Sequence, residues 1–408
     1  MRKPEILAPA GDFEKMKYAV AYGADAVYLS GKMYGMRTAS GNFDNDELKR
    51  AVDYCHARGV KCFVTVNVMP RSHEIDMLPQ YLEMLGDIKA DALIIADIGV
   101  LPLAKKYAPN VRIHISTQAS VVNYSSAMVL HELGADRIVL ARELSLREIA
   151  EIRRRTPKTL ELETFVHGSM CVSYSGRCLL SNFMAGRDSN HGNCAQPCRW
   201  CYTLMEEKRP GEYFPILEDE HGSYILNSKD MCLIDHIPEL VQAGIDSFKI
   251  EGRVKTAYYS AVITGAYRKA VDLYAEMGED YILPESIRQE VFKVSHRDYY
   301  TGFYFGETQG QYVKDALYIR DWDVCAMLDG TESENGAAFA VQKNRISIGD
   351  RVELLSPGKM PVDFTVEELY DSDMQPIQAA IHPQMRFGIR LPCTAPEMSI
   401  IRKANKLI

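Results

Sequence analysis

Nowhere in the 408 residues do about 18 apolar residues run together, so no membrane-crossing helix is expected. The opening MRKPEILAPAGD carries charge but neither an apolar h-region nor a cleavage site. No secretory signal is expected, and the cytoplasm is the expected compartment. Basic residues are not in excess, and the formal net charge is −8. Binding to nucleic acid through overall charge is thereby disfavoured, because phosphate contacts need Lys and Arg. Only a local basic face remains open. One candidate, Arg153-Arg154-Arg155, sits on a predicted helix, where a solvated face is the expected reading. The chain also lacks G-x-S-x-G, H-E-x-x-H, a Walker P-loop and G-x-G-x-x-G. No nucleophile elbow, zincin site, or common phosphate- or dinucleotide-binding loop is therefore present. No short-period repeat or low-complexity tract occurs. With 47% apolar and 25% charged residues, the composition is that of an ordinary soluble protein.

Cysteine is present, and unevenly placed. Six of the ten fall in one stretch: Cys171, Cys178, Cys194, Cys198, Cys201 and Cys232. Their surroundings, HGSMCVSYSGRC and HGNCAQPCRWC, are rich in Gly, Ser and Asn. In a reducing compartment such a group reads as a metal site rather than disulfides. Soft thiolates from several loops suit an iron–sulfur cluster or zinc. His167 and His191 do not give a recognisable zinc spacing with them. Cys194, Cys198 and Cys201 also fit C-x3-C-x-aromatic-C, the pattern of radical S-adenosylmethionine enzymes. There the motif normally follows the first strand, whereas here it lies far along the chain. The remaining cysteines (Cys55, Cys62, Cys325 and Cys393) sit in helix or strand patterns and are expected to be small buried hydrophobes.

Eight short apolar runs read as buried strands: 5–10, 26–30, 61–68, 92–97, 112–118, 137–142, 162–168 and 247–252. Between them lie helical patterns such as FEKMKYAVAYG, NDELKRAVDYCHARG, MLPQYLEMLGDIKA, SSAMVLHELGA and SLREIAEIRRR. Several end at Gly, which stops a helix in the left-handed region. The rhythm predicts an α/β fold, a (β/α)8 TIM-like barrel over residues 1–290, with a doubly wound sheet as the alternative. A cysteine-rich insertion at about 169–235 follows the seventh strand, on the face where such barrels place their chemistry. A linker is expected over 291–318. A small C-terminal β-barrel or sandwich is expected over 319–408, where strand-like runs alternate with Gly, Asn, Asp and Pro turns.

The strand ends carry the candidate site. In SFKIEGR, Lys249, Glu251 and Arg253 alternate toward the barrel axis, while Phe248 and Ile250 face the helices. Buried charges of this kind either pair structurally or bind a ligand. Arg142, Arg253 and Arg37 suit a carboxylate or phosphate, since guanidinium forks match both. Asn67, Asp97, Gln118 and Glu143 are the other polar groups at strand ends, and His167 is a candidate proton donor or cluster neighbour.

The phrases EILAPAGDFEKMKYAVAYGADAVYLSG, FVHGSMCVSYSGRCLLSNF, CAQPCRWCY, YILNSKDMCLIDHIPELVQAGIDSFKIEGRVK and YRKAVDLY resemble the collagenase-like peptidase family U-thirty-two. The resemblance runs from residue 4 into the C-terminal domain. It implies oxygen-independent hydroxylation of a tRNA wobble uridine to 5-hydroxyuridine, with prephenate as co-substrate and tRNA, through its anticodon loop, as partner. Sister branches imply hydroxylation of a quinone precursor, and the family name a peptidase, for which no motif is seen here. The implied cofactor is a [4Fe–4S] cluster held by Cys171, Cys178, Cys194 and Cys232, with Cys198 near enough to substitute. Arg142, His167, Glu251 and Arg253 are the expected catalytic residues. Arg37, Asn67, Asp97, Gln118 and Glu143 are expected to bind substrate. An electron donor or sister subunit is the expected further partner.

Overall fold

The computed structural model describes residues 3–36, 41–171, 176–200, 203–205, 213–215, 229–306, 318–333 and 336–405. All eight predicted barrel strands form. They are β1 (Glu5–Pro9), β2 (Ala26–Ser30), β3 (Lys61–Val66), β4 (Ala92–Ile95), β5 (Arg112–Ile115), β6 (Arg137–Val139), β7 (Glu161–Ser169) and β8 (Ser247–Ile250). Each pairs in parallel with the next, and β8 pairs with both β7 and β1, which closes the barrel. Both faces of these strands are covered, which is why they read as continuous apolar runs rather than alternations. Leu7, Tyr28, Phe63 and Ile94 fill the inside. Ile6, Val27, Val64 and Phe248 pack outward against the helices.

Below that inner layer, at the strands' N-terminal ends, lies a buried ion cluster. Arg137, 2% exposed, donates through Nη1 to Glu5 and Glu163, both at 2.7 Å, and through Nη2 to Glu161 at 2.7 Å. Lys249 Nζ reaches Glu163 at 2.8 Å. Lys249 thus belongs to a structural ion layer, while Glu251 and Arg253 stand further up the barrel.

The helices follow their local signals. Asp12 caps the helix Phe13–Ala21 by accepting from the amide of Lys15 at 2.9 Å. Capping boxes open Asn45–His56 (Asp44 with Glu47) and Leu146–Arg155 (Ser145 with Glu148). One barrel helix, Val100–Tyr107, is absent from the expected set. Its Pro102 falls in the first turn, where a missing amide costs no helical hydrogen bond.

After β7 the chain enters the insertion, which includes the helix Leu180–Ala185. It returns through a strand, Asp230–Cys232, antiparallel to β7, with Cys232 opposite His167. Tyr299–Tyr300 pairs in parallel with this strand. The stretch expected as a linker therefore adds a strand to the barrel's sheet.

The C-terminal domain is an antiparallel eight-stranded sheet, with Trp322–Glu332, Ala338–Gln342 and Ile400–Ala404 among its central strands. Among the described residues its two outer strands are not paired to each other. It has its own core around Cys325, Leu354, Phe387 and Ile389. It also shares a core with the barrel, because Met327, Leu355, Met398 and Ile400 pack into the barrel's main apolar cluster. Tyr22 Oη donates across the junction to the carbonyls of Leu355 (3.1 Å) and Met398 (3.0 Å). The fully buried Arg402 donates to Glu290 at 2.8 Å and Glu353 at 2.7 Å.

Cys55, Cys62 and Cys325 are buried as expected, but Cys393 is exposed. It lies between strands, in a Pro-flanked turn whose apolar neighbours imitate a strand. No described helix is long and apolar enough to cross a membrane.

Candidate active site: two cavities sharing Glu251

The barrel's C-terminal mouth holds a narrow pocket of about 60 Å³ lined by Asn67, Gln118, Arg142, Glu251 and Arg253, together with Tyr28, Thr65 and Lys249. Five expected site residues from four strand ends thus converge, Glu251 and Arg253 both following β8. Asn67 is fixed at both ends of its amide: Oδ1 accepts from the Met36 amide at 3.1 Å, and Nδ2 donates to Ser116 Oγ at 3.3 Å. Arg142 donates from Nη1 to the Ser169 carbonyl at 2.7 Å, and its guanidinium lies 3.8 Å from the Phe165 ring centroid. Among the described residues its Nε is buried without a hydrogen-bond partner. Arg253, 4% exposed, donates to the Met36 carbonyl and, at 3.5 Å, to Thr65 Oγ1. The backbone around Arg253 needs Gly11 opposite it, since a Cβ there would come within 1.9 Å of the Arg253 carbonyl oxygen. Two guanidinium groups in so small a pocket have the chemistry that suits an anion.

Beside this pocket opens a cleft of about 720 Å³. Cys171, Cys194 and Cys198 line it from the insertion, Glu251 and Tyr259 from the barrel, and Trp322 and Met327 from the C-terminal domain. Glu251 lines both cavities. Gly168, at φ +112°, makes the close approach possible, because a Cβ there would meet Glu251 Cβ at 2.9 Å.

Other expected residues lie elsewhere. Asp97 Oδ1 accepts from the amides of Gly99 (2.7 Å) and Val100 (3.3 Å), so it caps a helix entry rather than facing substrate. Glu143 is half-buried and lines neither cavity. His167, expected as a catalytic proton donor, is also in neither. It is 1% exposed, with Nδ1 3.4 Å from Tyr267 Oη and Nε2 3.3 Å from Tyr299 Oη. Burial lowers its pKa to about 3, helped by the nearby His296 and Lys255, so the ring is held neutral. It packs among Tyr259, Tyr267 and Tyr299 rather than reaching the mouth. Arg37 and Cys201 lie outside the described residues. In the Arg153–Arg155 run, Arg153 is tied to the Leu160 carbonyl at 2.9 Å, while Arg154 and Arg155 pair with Glu151. That run is a solvated face with one structural arginine.

Among the described residues, no three His, Cys, Asp or Glu side chains are gathered at metal-holding distance. The donor chemistry nevertheless fits a sulfur-ligated group. Three thiols share the cleft, and the Gln196 amide donates to Cys194 Sγ at 3.3 Å, as amides do to cluster sulfurs. Cys178 stands back from the cleft, its carbonyl accepting from Ser189 Oγ at 2.8 Å. Cys232 is not among the residues lining the cleft and lies beside Tyr267, where burial pushes its thiol up to about 12. Sequence reasoning did not anticipate Tyr259, Lys255 and Trp322 on the cleft, because the last comes from a separate domain and none carries a motif.

Fold and site together define a TIM-barrel protein whose C-terminal mouth joins a guanidinium-lined pocket to a thiol-lined cleft. The chain belongs to peptidase family U32: the model of that family matches residues 11–314, and that of its C-terminal domain matches residues 320–402. It is 38% identical over 410 residues to tRNA hydroxylation protein P1 of Bacillus subtilis (strain 168), covering 99% of this chain and 96% of that one. It is 36% identical over 411 residues to tRNA hydroxylation protein P of Escherichia coli (strain K12), covering 90% and 89%. A 23S rRNA 5-hydroxycytidine synthase of the same organism is 36% identical over 290 residues, covering 71% of this chain and 42% of that one.

Proposed function

We propose that this protein hydroxylates a pyrimidine ring in RNA, with the tRNA wobble uridine as substrate and 5-hydroxyuridine as product. The relatives' names support RNA hydroxylation as the class of reaction. The observation that carries the reading is Glu251, the shared wall between a pocket for a small anion and a cleft wide enough for a nucleotide. Prephenate, a dicarboxylate, is the proposed hydroxyl source, and Arg142 and Arg253 bind one of its carboxylates. Asn67 and Gln118 orient its hydroxyl, and Glu251 faces the uracil edge from the adjoining cleft. A wobble base is already unpaired, so presenting it to the barrel costs little.

Replacing the ring C–H by C–OH, with loss of carbon dioxide from the prephenate dianion and aromatisation of its remainder to the phenylpyruvate anion, releases two electrons and one proton. An electron-transfer partner or sister subunit accepts the electrons. A [4Fe–4S] cluster held by Cys171, Cys178 and Cys194, with Cys232 or the cleft-lining Cys198 as the fourth ligand, would supply one-electron transfer beside the cleft. Around it, Tyr259 and Met327 give the cleft part of its apolar lining. Anaerobic purification with iron and acid-labile sulfide assays tests the cofactor. About four of each per chain is expected, lost in Cys171→Ala. A colourless protein, or one with a single zinc, contradicts it.

A further inference from the structure

The cleft extends well beyond the thiols. On its far side it is lined by Lys255, Tyr318, Arg320, Trp322 and Lys343, which belong to the barrel rim and the approach to the C-terminal sheet. On a chain of net charge −8, the charged residues described on this cleft run the other way. Lys15, Lys255, Arg320 and Lys343 are basic, against Glu14 and Glu251. Lys15 is partly spent on Asp12 at 2.8 Å, and Arg320 stands 3.4 Å from Asp323 while remaining 65% exposed. The aromatic rings lie among these cations. Lys255 Nζ is 4.2 Å and Arg297 4.9 Å from the Tyr318 ring centroid. Trp322 is held by Lys293 at 4.6 Å and by the buried Arg402 at 5.3 Å. Tyr318 itself is 38% exposed.

Cations interleaved with fixed aromatic faces along a groove are what a single nucleic-acid strand requires. The cations follow its phosphates, and the rings stack on its bases without regard to sequence. An acidic peptide matches the cations but makes no use of the rings. We propose that the cleft between the barrel mouth and the C-terminal domain is the track for a single RNA strand. Trp322 and Tyr318 are its stacking platforms, and Lys255, Arg320 and Lys343 are its phosphate contacts. The proposal rests on the RNA reading above and adds the path. The strand runs along the domain junction and delivers one base to Glu251, so the C-terminal domain is part of the substrate site.

The test uses the full-length, anaerobically purified protein and a fluorescein-labelled anticodon stem-loop with uridine at the wobble position. Binding is read by fluorescence anisotropy as a function of salt. Trp322→Ala is expected to weaken binding roughly tenfold. Arg320→Ala and Lys343→Ala, on the exposed side, should each lower the salt slope by about one. All three should leave iron content unchanged. Tryptophan emission gives an independent signal, because the chain has only two tryptophans. In a Trp200→Phe background, the RNA should quench Trp322. Tight RNA binding that none of these variants alters, with no quenching, overturns the track while leaving RNA hydroxylation standing. Failure of the wild-type protein to bind the stem-loop while it binds polyglutamate overturns both.

Discussion

Arg142 Nη1 donates to the backbone carbonyl of Ser169 at 2.7 Å. The arginine on the wall of the anion pocket is thereby tied to the chain two residues before Cys171, the first thiol of the cleft. The two cavities are adjacent: the guanidinium proposed to bind the small anion is hydrogen-bonded to the strand from which the insertion departs. Arg142→Ala should abolish hydroxylation while iron content stays at the wild-type level, and Arg142→Lys, which keeps charge but loses the fork, should recover only part of the activity. Loss of iron in Arg142→Ala, measured beside turnover, would make the residue a support for the insertion instead.

At the opposite end of the barrel, Arg137 holds three carboxylates. Removing it leaves them buried and uncompensated, so Arg137→Met should cost roughly 3–5 kcal/mol of stability. Chemical denaturation measures this, and a loss below about 1 kcal/mol would contradict the assignment of the cluster as structural.

The same cluster sets an acid limit. Although burial opposes it, Arg137 and Lys61 hold the Glu5 carboxyl at about 2, below its ordinary 4.5. A depressed carboxylate contributes stability that is fully present above its unfolded value and lost as pH falls through the folded one. That contribution is about 3 kcal/mol, and it should disappear between pH 4.5 and pH 2. In Glu5→Gln the slope of unfolding free energy against pH should flatten in this window. An unchanged slope there would show that Glu5 is not the group responsible.

Arg402, fully buried at the domain junction, bridges Glu290 of the barrel to Glu353 of the C-terminal sheet. Arg402→Ala should destabilise that junction and split a single thermal transition into two in calorimetry. Because the junction forms one wall of the cleft, RNA binding should weaken as well. One cooperative transition at the wild-type temperature would contradict this.

Much of the barrel is legible in the sequence because parallel strands buried on both faces leave unbroken apolar runs. All eight lie where the pattern places them, from EILAP to SFKI. The helix Val100–Tyr107 is less legible because Pro102 looks like a breaker until its place in the first turn is known. At the mouth, strand-end position brings Asn67, Gln118, Arg142, Glu251 and Arg253 to the lining of one pocket. The same logic misplaces Asp97 and His167. A polar residue after a strand serves equally well as a helix cap, and a bulge between Lys249 and Ile250 shifts the register of β8 against β7 at His167. Of the cleft, only the thiol side and Glu251 are legible, from the clustered cysteines and the strand end. Its far wall depends on contacts such as Tyr22 with Leu355, 333 residues apart, that no local pattern encodes.

The central claim is that this chain places a hydroxyl group on an RNA pyrimidine with oxygen taken from a dicarboxylate. Its most direct test incubates the anaerobic, iron-replete protein, with its electron acceptor, with unmodified tRNA and prephenate labelled with oxygen-18 in its hydroxyl group. The nucleosides are then analysed by mass spectrometry. The account predicts 5-hydroxyuridine carrying the label, absent without prephenate and absent in Arg142→Ala. Iron-replete protein that binds the tRNA yet leaves every uridine unmodified, or that yields unlabelled product, would contradict it.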